Sequence, residues 1–170
     1  MDEAIGNVTD FLKSEDLWSN TVFIFSTDNG ANPWEGGNNL PFRGGKGGFW
    51  EGGIHGVGFV AGGYFESRRH PDSLPVSHGL IHISDWFPTI MEATKCSLSS
   101  NAPALDGISQ WDMLTGKGKS PRIEILHHLD PMSEDNRTVR RQQGTDNRTF
   151  AVGQFNNYFI ILTNNNPQNN

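Results

Sequence analysis

Cysteine is almost absent: Cys96 is the only one in 170 residues. A single thiol closes no internal disulfide and offers no paired ligands for zinc. Its one polarising neighbour is Lys95, too little to mark a catalytic thiol. Long apolar runs are missing as well. No stretch reaches the about 18–20 residues a membrane-spanning helix needs. Positive charge is scarce: 13 Lys and Arg face 19 Asp and Glu, for a net charge of −6. That argues against a nucleic-acid binder, because phosphate contacts need clustered cations. The nearest approach to a basic cluster, Arg137, Arg140 and Arg141, sits among residues of mixed sign and reads as a solvated loop. The start lacks a leader pattern, since Met1 is followed by Asp2 and Glu3 and not by a basic then apolar segment. Three Asn-x-Thr sequons nevertheless occur, at Asn7, Asn136 and Asn147. Together these two features carry the expectation that the natural N-terminus lies upstream.

What is plentiful is glycine, with 20 residues, many of them between positions 27 and 53. The apolar share is 35% and the aromatic share 11%, enough for a core in one domain of this length. Helical spacing of Ile5, Val8 and Leu12, with Ala4 and Phe11, predicts a helix over 2–16. Asp2 and Glu3 at its start and Lys13 near its end suit the helix dipole. Residues 21–26 are a β-branched and aromatic run, expected to be a strand of a parallel sheet buried on both faces, with the helix forming half of a βαβ unit.

Residues 27–53 then form a long loop, of the length that is functional when ordered. Trp34, Phe42, Phe49 and Trp50 argue for order in it. Further along, strands are expected over 54–61, 80–83 and 123–127. A helix capped by Ser84 or Asp85, with Pro88 in its first turn, is expected to reach Thr94. Ile108, Trp111 and Leu114 suggest a short helix within 105–115. A polar surface loop over 130–148 precedes a hairpin of 150–155 and 158–163, turned by Asn156 and Asn157. Residues 164–170, Asn-rich, are expected to be disordered.

The informative segment is Thr27-Asp28-Asn29-Gly30, directly after the buried-strand pattern. Ligands of open α/β sheets gather at the carboxyl ends of strands. Neighbouring carboxylate and amide oxygens suit a hard cation such as calcium, although Asp, Asn and Gly also make ordinary turns. Downstream, Arg43-Gly44-Gly45-Lys46-Gly47-Gly48 brings cations to a close-approaching backbone. The two together suggest a metal-assisted site for an oxyanion. His82 and Asp85 read as a histidine beside a helix cap. His127 and His128 point to opposite faces of a strand, which disfavours a shared metal. Arg43 and Glu51 are candidates to pair across the loop, and the Trp and Phe residues read as core.

These segments, with Trp50-Glu51-Gly52-Gly53, His82 to Thr89, Leu105-Asp106-Gly107 and Pro121 to His127, occur in the order and spacing of the type I sulfatases. Over roughly residues 1–163 the chain resembles the C-terminal half of that family, in its arylsulfatase B branch. The resemblance implies an α/β, alkaline-phosphatase-like fold. Residues 1–96 would be the C-terminal part of the catalytic domain, 97–163 a C-terminal subdomain ending in the hairpin, and 164–170 a tail. It implies hydrolysis of a sulfate ester, on a sulfated glycan or an aryl sulfate, in a lysosomal or secreted protein. A formylglycine nucleophile, made from Cys in a Cys-x-Pro-x-Arg motif, would act beside a calcium ion.

By the same resemblance Asp28 and Asn29 are calcium ligands and Lys46 is the lysine that contacts and activates the sulfate group. Cys96 is not followed by Pro-x-Arg, and no Asp-Asp pair stands near residue 1. The nucleophile, the remaining calcium ligands and the family's other active-site His, Lys and Arg would therefore come from an N-terminal half outside these residues. Alone, the chain would be inactive. His55 stands where relatives carry Arg and is given no role. Two alternatives remain open at this stage: a non-catalytic glycan-binding module, and an enzyme of the same superfamily fold that cleaves phosphate esters.

Overall fold

The computed structural model describes residues 1–130, 150–155 and 158–163. The chain divides into two compact units. One comprises Met1–Ser26 and Gly58–Arg122, the other Thr27–Val57 and the residues from Ile123 onward.

The first unit opens with α1, Asp2–Ser14. Ile5, Thr9 and Leu12 are half-buried along one face, while Val8 and Phe11 of the expected apolar stripe are exposed. The chain leaves the helix through Asp16, at φ 56°, and a short 3₁₀ turn, Trp18–Asn20, where Lys13 lies over the Trp18 ring. Strand β1, Phe23–Ser26, follows. It pairs with β2, Gly58–Ala61, from Phe23 opposite Ala61 to Ser26 opposite Gly58.

This pairing is antiparallel, which corrects the expected parallel arrangement. The link between the two strands is a long loop with no crossover helix long enough to return the chain to a parallel start. Nor is β1 buried on both faces: Phe23, Ile24 and Phe25 are only half-buried. Phe59 of β2 stacks on both Phe23 and Phe25, with centroids 6.0 and 5.3 Å away. The predicted strand 54–61 is shortened at its start, because Glu51–Ile54 forms a helical turn, α2.

Beyond β2 come a one-turn helix α3, Gly63–Glu66, the helix α4, Trp86–Ala93, and a one-turn helix α5, Trp111–Leu114. Phe65, Ala93 and Trp111 form the buried core of this unit, with Val22, Val60, Tyr64 and Leu114 against it. Phe65 meets Trp111 edge-on at 6.0 Å, and the Tyr64 hydroxyl donates to the Ala93 carbonyl at 2.7 Å. Only some of the aromatics are core. Trp34 is 95% exposed, so the reading of all Trp and Phe as core fails at that residue.

A polar hub lies beside the apolar core. Asp85 has no exposed surface. Its carboxylate accepts from Arg122 Nε at 2.8 Å, the backbone N–H groups of His82 and Ile108 at 2.9 Å each, and Gln110 Nε2 at 3.2 Å. Thr89 Oγ1 donates to the Asp85 carbonyl at 2.6 Å and accepts from the Gln110 N–H at 2.9 Å. Ser120 Oγ lies 3.0 Å from Gln110 Oε1 and donates to the Leu80 carbonyl at 2.8 Å.

The hub explains two departures from the expected elements. Residues 80–82 run without a strand partner into a 3₁₀ turn, Ile83–Asp85, because His82 caps that turn: its Nδ1 accepts from the Ser84 N–H and its own N–H is held by Asp85. The short helix expected within 105–115 is present as Trp111–Leu114, but it does not reach back to Ile108, because the backbone at Ile108 and Gln110 is spent on Asp85 and Thr89. His82 is thus the cap of the 3₁₀ turn and not the end of a strand, and the Asp85 carboxylate makes no capping bond to α4.

The second unit contains the loop from Thr27 to Val57 and a three-stranded antiparallel sheet. Its strands are β3, Glu124–Asp130, β4, Phe150–Phe155, and β5, Tyr158–Thr163, in that order. The 150–163 hairpin is present as expected, with Phe155 opposite Tyr158. In β3 the register shifts between Leu126 and His128. This bulge at His127 interrupts the alternation on which the opposite-face reading of the two histidines rested. Of the expected 130–148 loop, Asp130 ends β3 and the rest lies outside the described residues, as do the hairpin turn 156–157, the tail 164–170 and the sequons at Asn136 and Asn147. Asn7 is exposed on α1. No helix among the described residues is long and apolar enough to cross a membrane.

Candidate active site

The loop from Thr27 to Val57 is built almost entirely from backbone. Its ends meet where the Thr27 N–H donates to the Val57 carbonyl and the Val57 N–H donates to Thr27 Oγ1, both at 2.9 Å. One turn further in, the Gly30 N–H donates to the Gly53 carbonyl at 2.8 Å. A side chain at Gly30 would overlap the Gly52 carbonyl, and one at Gly53 would overlap that of Gly48. At these positions glycine is required by the closeness of two backbones.

Asp28 and Asn29 sit in the bend between Thr27 and Gly30, Asp28 exposed and Asn29 half-buried. Their neighbours on both sides are fixed by the bonds just described. The two side chains themselves make no hydrogen bond or ion pair with any described residue.

Lys46 lies on the facing segment of the same loop. Its N–H donates to the Ala31 carbonyl at 3.1 Å, and its side chain is exposed. Gly45 before it packs on the Pro33 ring, and Gly44, at φ +82°, packs on Trp50. Pro33 opens a 3₁₀ turn, Pro33–Glu35, capped by Asn32, whose Oδ1 accepts from the Trp34 N–H at 3.1 Å. Arg43 does not pair with Glu51 as expected. Its guanidinium stacks over Trp50 at 4.0 Å, while Glu51 meets His55 Nδ1 at 3.0 Å, one helical turn on. His55 also lies against Phe42, with ring centroids 4.7 Å apart.

Asn39 is the residue that sequence reasoning missed. Its Oδ1 accepts from the Ala31 N–H at 2.8 Å, and its Nδ2 donates to the Ala31 carbonyl at 2.8 Å and to the Gly44 carbonyl at 3.2 Å. The only signal available was an Asn-Asn pair, Asn38-Asn39, inside a glycine-rich loop, a composition that equally marks an ordinary turn.

The structure thus brings Asp28, Asn29 and Lys46 onto one loop, with backbone hydrogen bonds joining the segments that carry them. Carboxylate, amide oxygen and ammonium are the groups needed for a hard cation and an oxyanion. Among the described residues no group of three or more His, Cys, Asp or Glu could hold a metal ion.

The Sulfatase family matches residues 1–96, 96 of the 170 residues. The chain belongs to the sulfatase family. Arylsulfatase J of Mus musculus is 40% identical over 132 residues, which are 78% of this chain and 21% of that protein. Steryl-sulfatase of Homo sapiens is 28% identical over 136 residues, 75% of this chain and 22% of that protein. Among solved structures, Ps i-CgsB in complex with k-i-k-neocarrahexaose aligns with a TM-score of 0.66 at 21% identity, covering 96% of this chain and 32% of that one. At that identity the likeness is one of fold. With the family match it establishes the α/β, alkaline-phosphatase-like class. The chain spans about a fifth of the length of these curated relatives.

Proposed function

We propose that this chain carries one part of the active site of a sulfuric ester hydrolase acting on sulfated glycans or aryl sulfates. The observation that carries the reading is the Thr27–Val57 loop of a sulfatase-family chain. It holds Asp28, Asn29 and Lys46 on a backbone locked at Gly30, Ala31 and Gly53 while their side chains make no hydrogen bond or ion pair with a described residue. Side chains held in place but without internal partners are preorganised for a ligand.

Asp28 and Asn29 fit a calcium ion in donor type, one carboxylate and one amide oxygen at consecutive positions. Calcium takes about 6–8 oxygens, so the other ligands come from the rest of the protein. A bound calcium would supply positive charge that offsets the charge on the nucleophile and the ester oxygens. Lys46 Nζ donates charge-assisted hydrogen bonds to sulfate oxygens and stabilises the negative charge that grows as the ester bond breaks. A formylglycine nucleophile belongs to the N-terminal half that completes the site. Residues 1–170 alone therefore turn over no ester. Lysosomal or secreted placement belongs to the same proposal.

The test is hydrolysis of an aryl sulfate by the full-length protein, by its Lys46→Ala variant and by residues 1–170 alone. The proposal expects full turnover from the first, turnover lowered by a factor of about 100–1,000 in the Lys46→Ala variant, as when one stabilising donor is removed, and none from residues 1–170 alone. Full activity in the variant refutes the role of Lys46. Turnover by residues 1–170 refutes the need for an N-terminal half, and preference for an aryl phosphate refutes the sulfate assignment.

A further inference from the structure

We propose that Asn39 is a positioning residue that holds Lys46 in register with the Asp28–Asn29 turn. This rests on the proposed role of Lys46. Ala31 lies two residues after Asn29, and Gly44 lies two residues before Lys46. The Asn39 amide closes a two-bond ring with Ala31, accepting from its N–H and donating to its carbonyl, both at 2.8 Å. Its second N–H reaches the Gly44 carbonyl at 3.2 Å. Lys46 N–H completes the lacing by donating to the same Ala31 carbonyl at 3.1 Å. Ala31 is thus the meeting point of the two segments, and one half-buried amide ties both to it.

The orientation of that amide is forced by its partners. Ala31 offers one donor and one acceptor, and Gly44 offers only its carbonyl to Asn39, so a flipped amide would set N–H against N–H and oxygen against oxygen. The substitution logic follows. An ionised Asp at position 39 keeps the acceptor but loses both donors, and it turns a carboxylate toward two carbonyl oxygens. A protonated Asp carries one acceptor and one O–H, which again closes the ring with Ala31. Ala at position 39 removes every bond at any pH.

The experiment uses the full-length protein with an aryl sulfate as substrate and compares Asn39→Asp, Asn39→Ala, Lys46→Ala and the double variant Asn39→Ala/Lys46→Ala. Thermal unfolding and binding of inorganic sulfate are followed in each. The proposal expects Asn39→Ala to lower kcat/KM about 100-fold, the loss that a displacement of order one ångström produces, and to weaken sulfate binding, with unfolding still cooperative. It expects Asn39→Asp, relative to unsubstituted protein at the same pH, to recover as pH falls through the carboxylate range, and Asn39→Ala not to recover. In the Lys46→Ala background, Asn39→Ala should cost almost nothing further, because its effect runs through the missing ammonium.

Wild-type kcat/KM in Asn39→Ala, with Lys46→Ala impaired, overturns this proposal and leaves the sulfatase reading standing. An undiminished extra loss in the double variant also overturns it, since Asn39 then acts elsewhere. Normal activity in Lys46→Ala overturns both readings together. Failure of both Asn39 variants to fold makes Asn39 a folding residue and ends the proposal.

Discussion

Two aspartates of this chain stand in opposite circumstances. Asp85 is fully buried and its carboxylate is saturated by Arg122, two backbone N–H groups and Gln110. Asp28 is exposed, its side chain makes no bond to a described residue, and only the backbone around it is fixed. A carboxylate whose lone pairs are consumed internally organises the fold and has nothing left to offer a ligand. One that is held by its neighbours but left unpaired has its bonding capacity free. Both lie in short polar segments within the residues that the Sulfatase family matches, so residue type alone does not separate them. The count of internal partners does.

The largest effect in this comparison belongs to Arg122. Breaking a buried ion pair by removing one partner leaves an uncompensated charge, which costs about 3–5 kcal/mol. Arg122→Ala in the full-length protein should lower stability by that order in a urea titration. A change below about 1 kcal/mol would show that Asp85 is sustained by its backbone donors and Gln110 without the arginine.

Acid should act on the same hub by a different route. Burial pushes the Asp85 carboxyl up, but hydrogen bonds from Arg122, His82 and Ile108, and the Arg122 charge, more than offset it and hold the group below its ordinary value of 3.8. Arg122 is raised in turn by its bond to Asp85. A carboxyl with a lowered folded value binds protons less readily folded than unfolded. Its stabilisation is thus complete above 3.8 and is lost as pH falls through the folded value. Unfolding followed from pH 5 downward should show stability dropping below about 3.8, with a shallower drop in Arg122→Ala. Identical acid profiles would place the loss in other carboxylates.

The contrast also shows what was legible in the residues. Helix α1, the hairpin of β4 and β5, and the strand before Asp28 follow from periodicity and turn chemistry, which are local. The antiparallel return of β2 was not legible, because strand direction depends on the path of a 31-residue loop and not on the strand's own residues. The start of the short helix within 105–115 was not legible for a related reason. Ile108, Trp111 and Leu114 have the right spacing, but the backbone at Ile108 and Gln110 is claimed by Asp85 and Thr89, more than twenty positions earlier. At the candidate site, Asp28, Asn29 and Lys46 could be singled out as candidates by motif. The Asn39 clasp could not, since an amide bonded to backbone eight residues away leaves no periodic trace.

The smallest expected effect on stability is also the sharpest test of the comparison. Asp28→Asn keeps the shape of the side chain and removes its charge. No bond to a described residue depends on that charge, so stability without added metal should change by less than about 0.5 kcal/mol, the usual range for surface substitutions. Removing a carboxylate from a neutral-to-anionic ligand set weakens a hard cation strongly, because such cations draw their affinity from ligand charge. Calcium should therefore stabilise the unsubstituted full-length protein by several degrees in thermal unfolding and stabilise Asp28→Asn far less. Asp28 would then mirror Asp85, near-silent in the fold and decisive for the ligand. An equal calcium response in both proteins would remove Asp28 from the metal site. A large metal-free destabilisation would mean its carboxylate has a structural partner after all, and the distinction between the two aspartates would collapse.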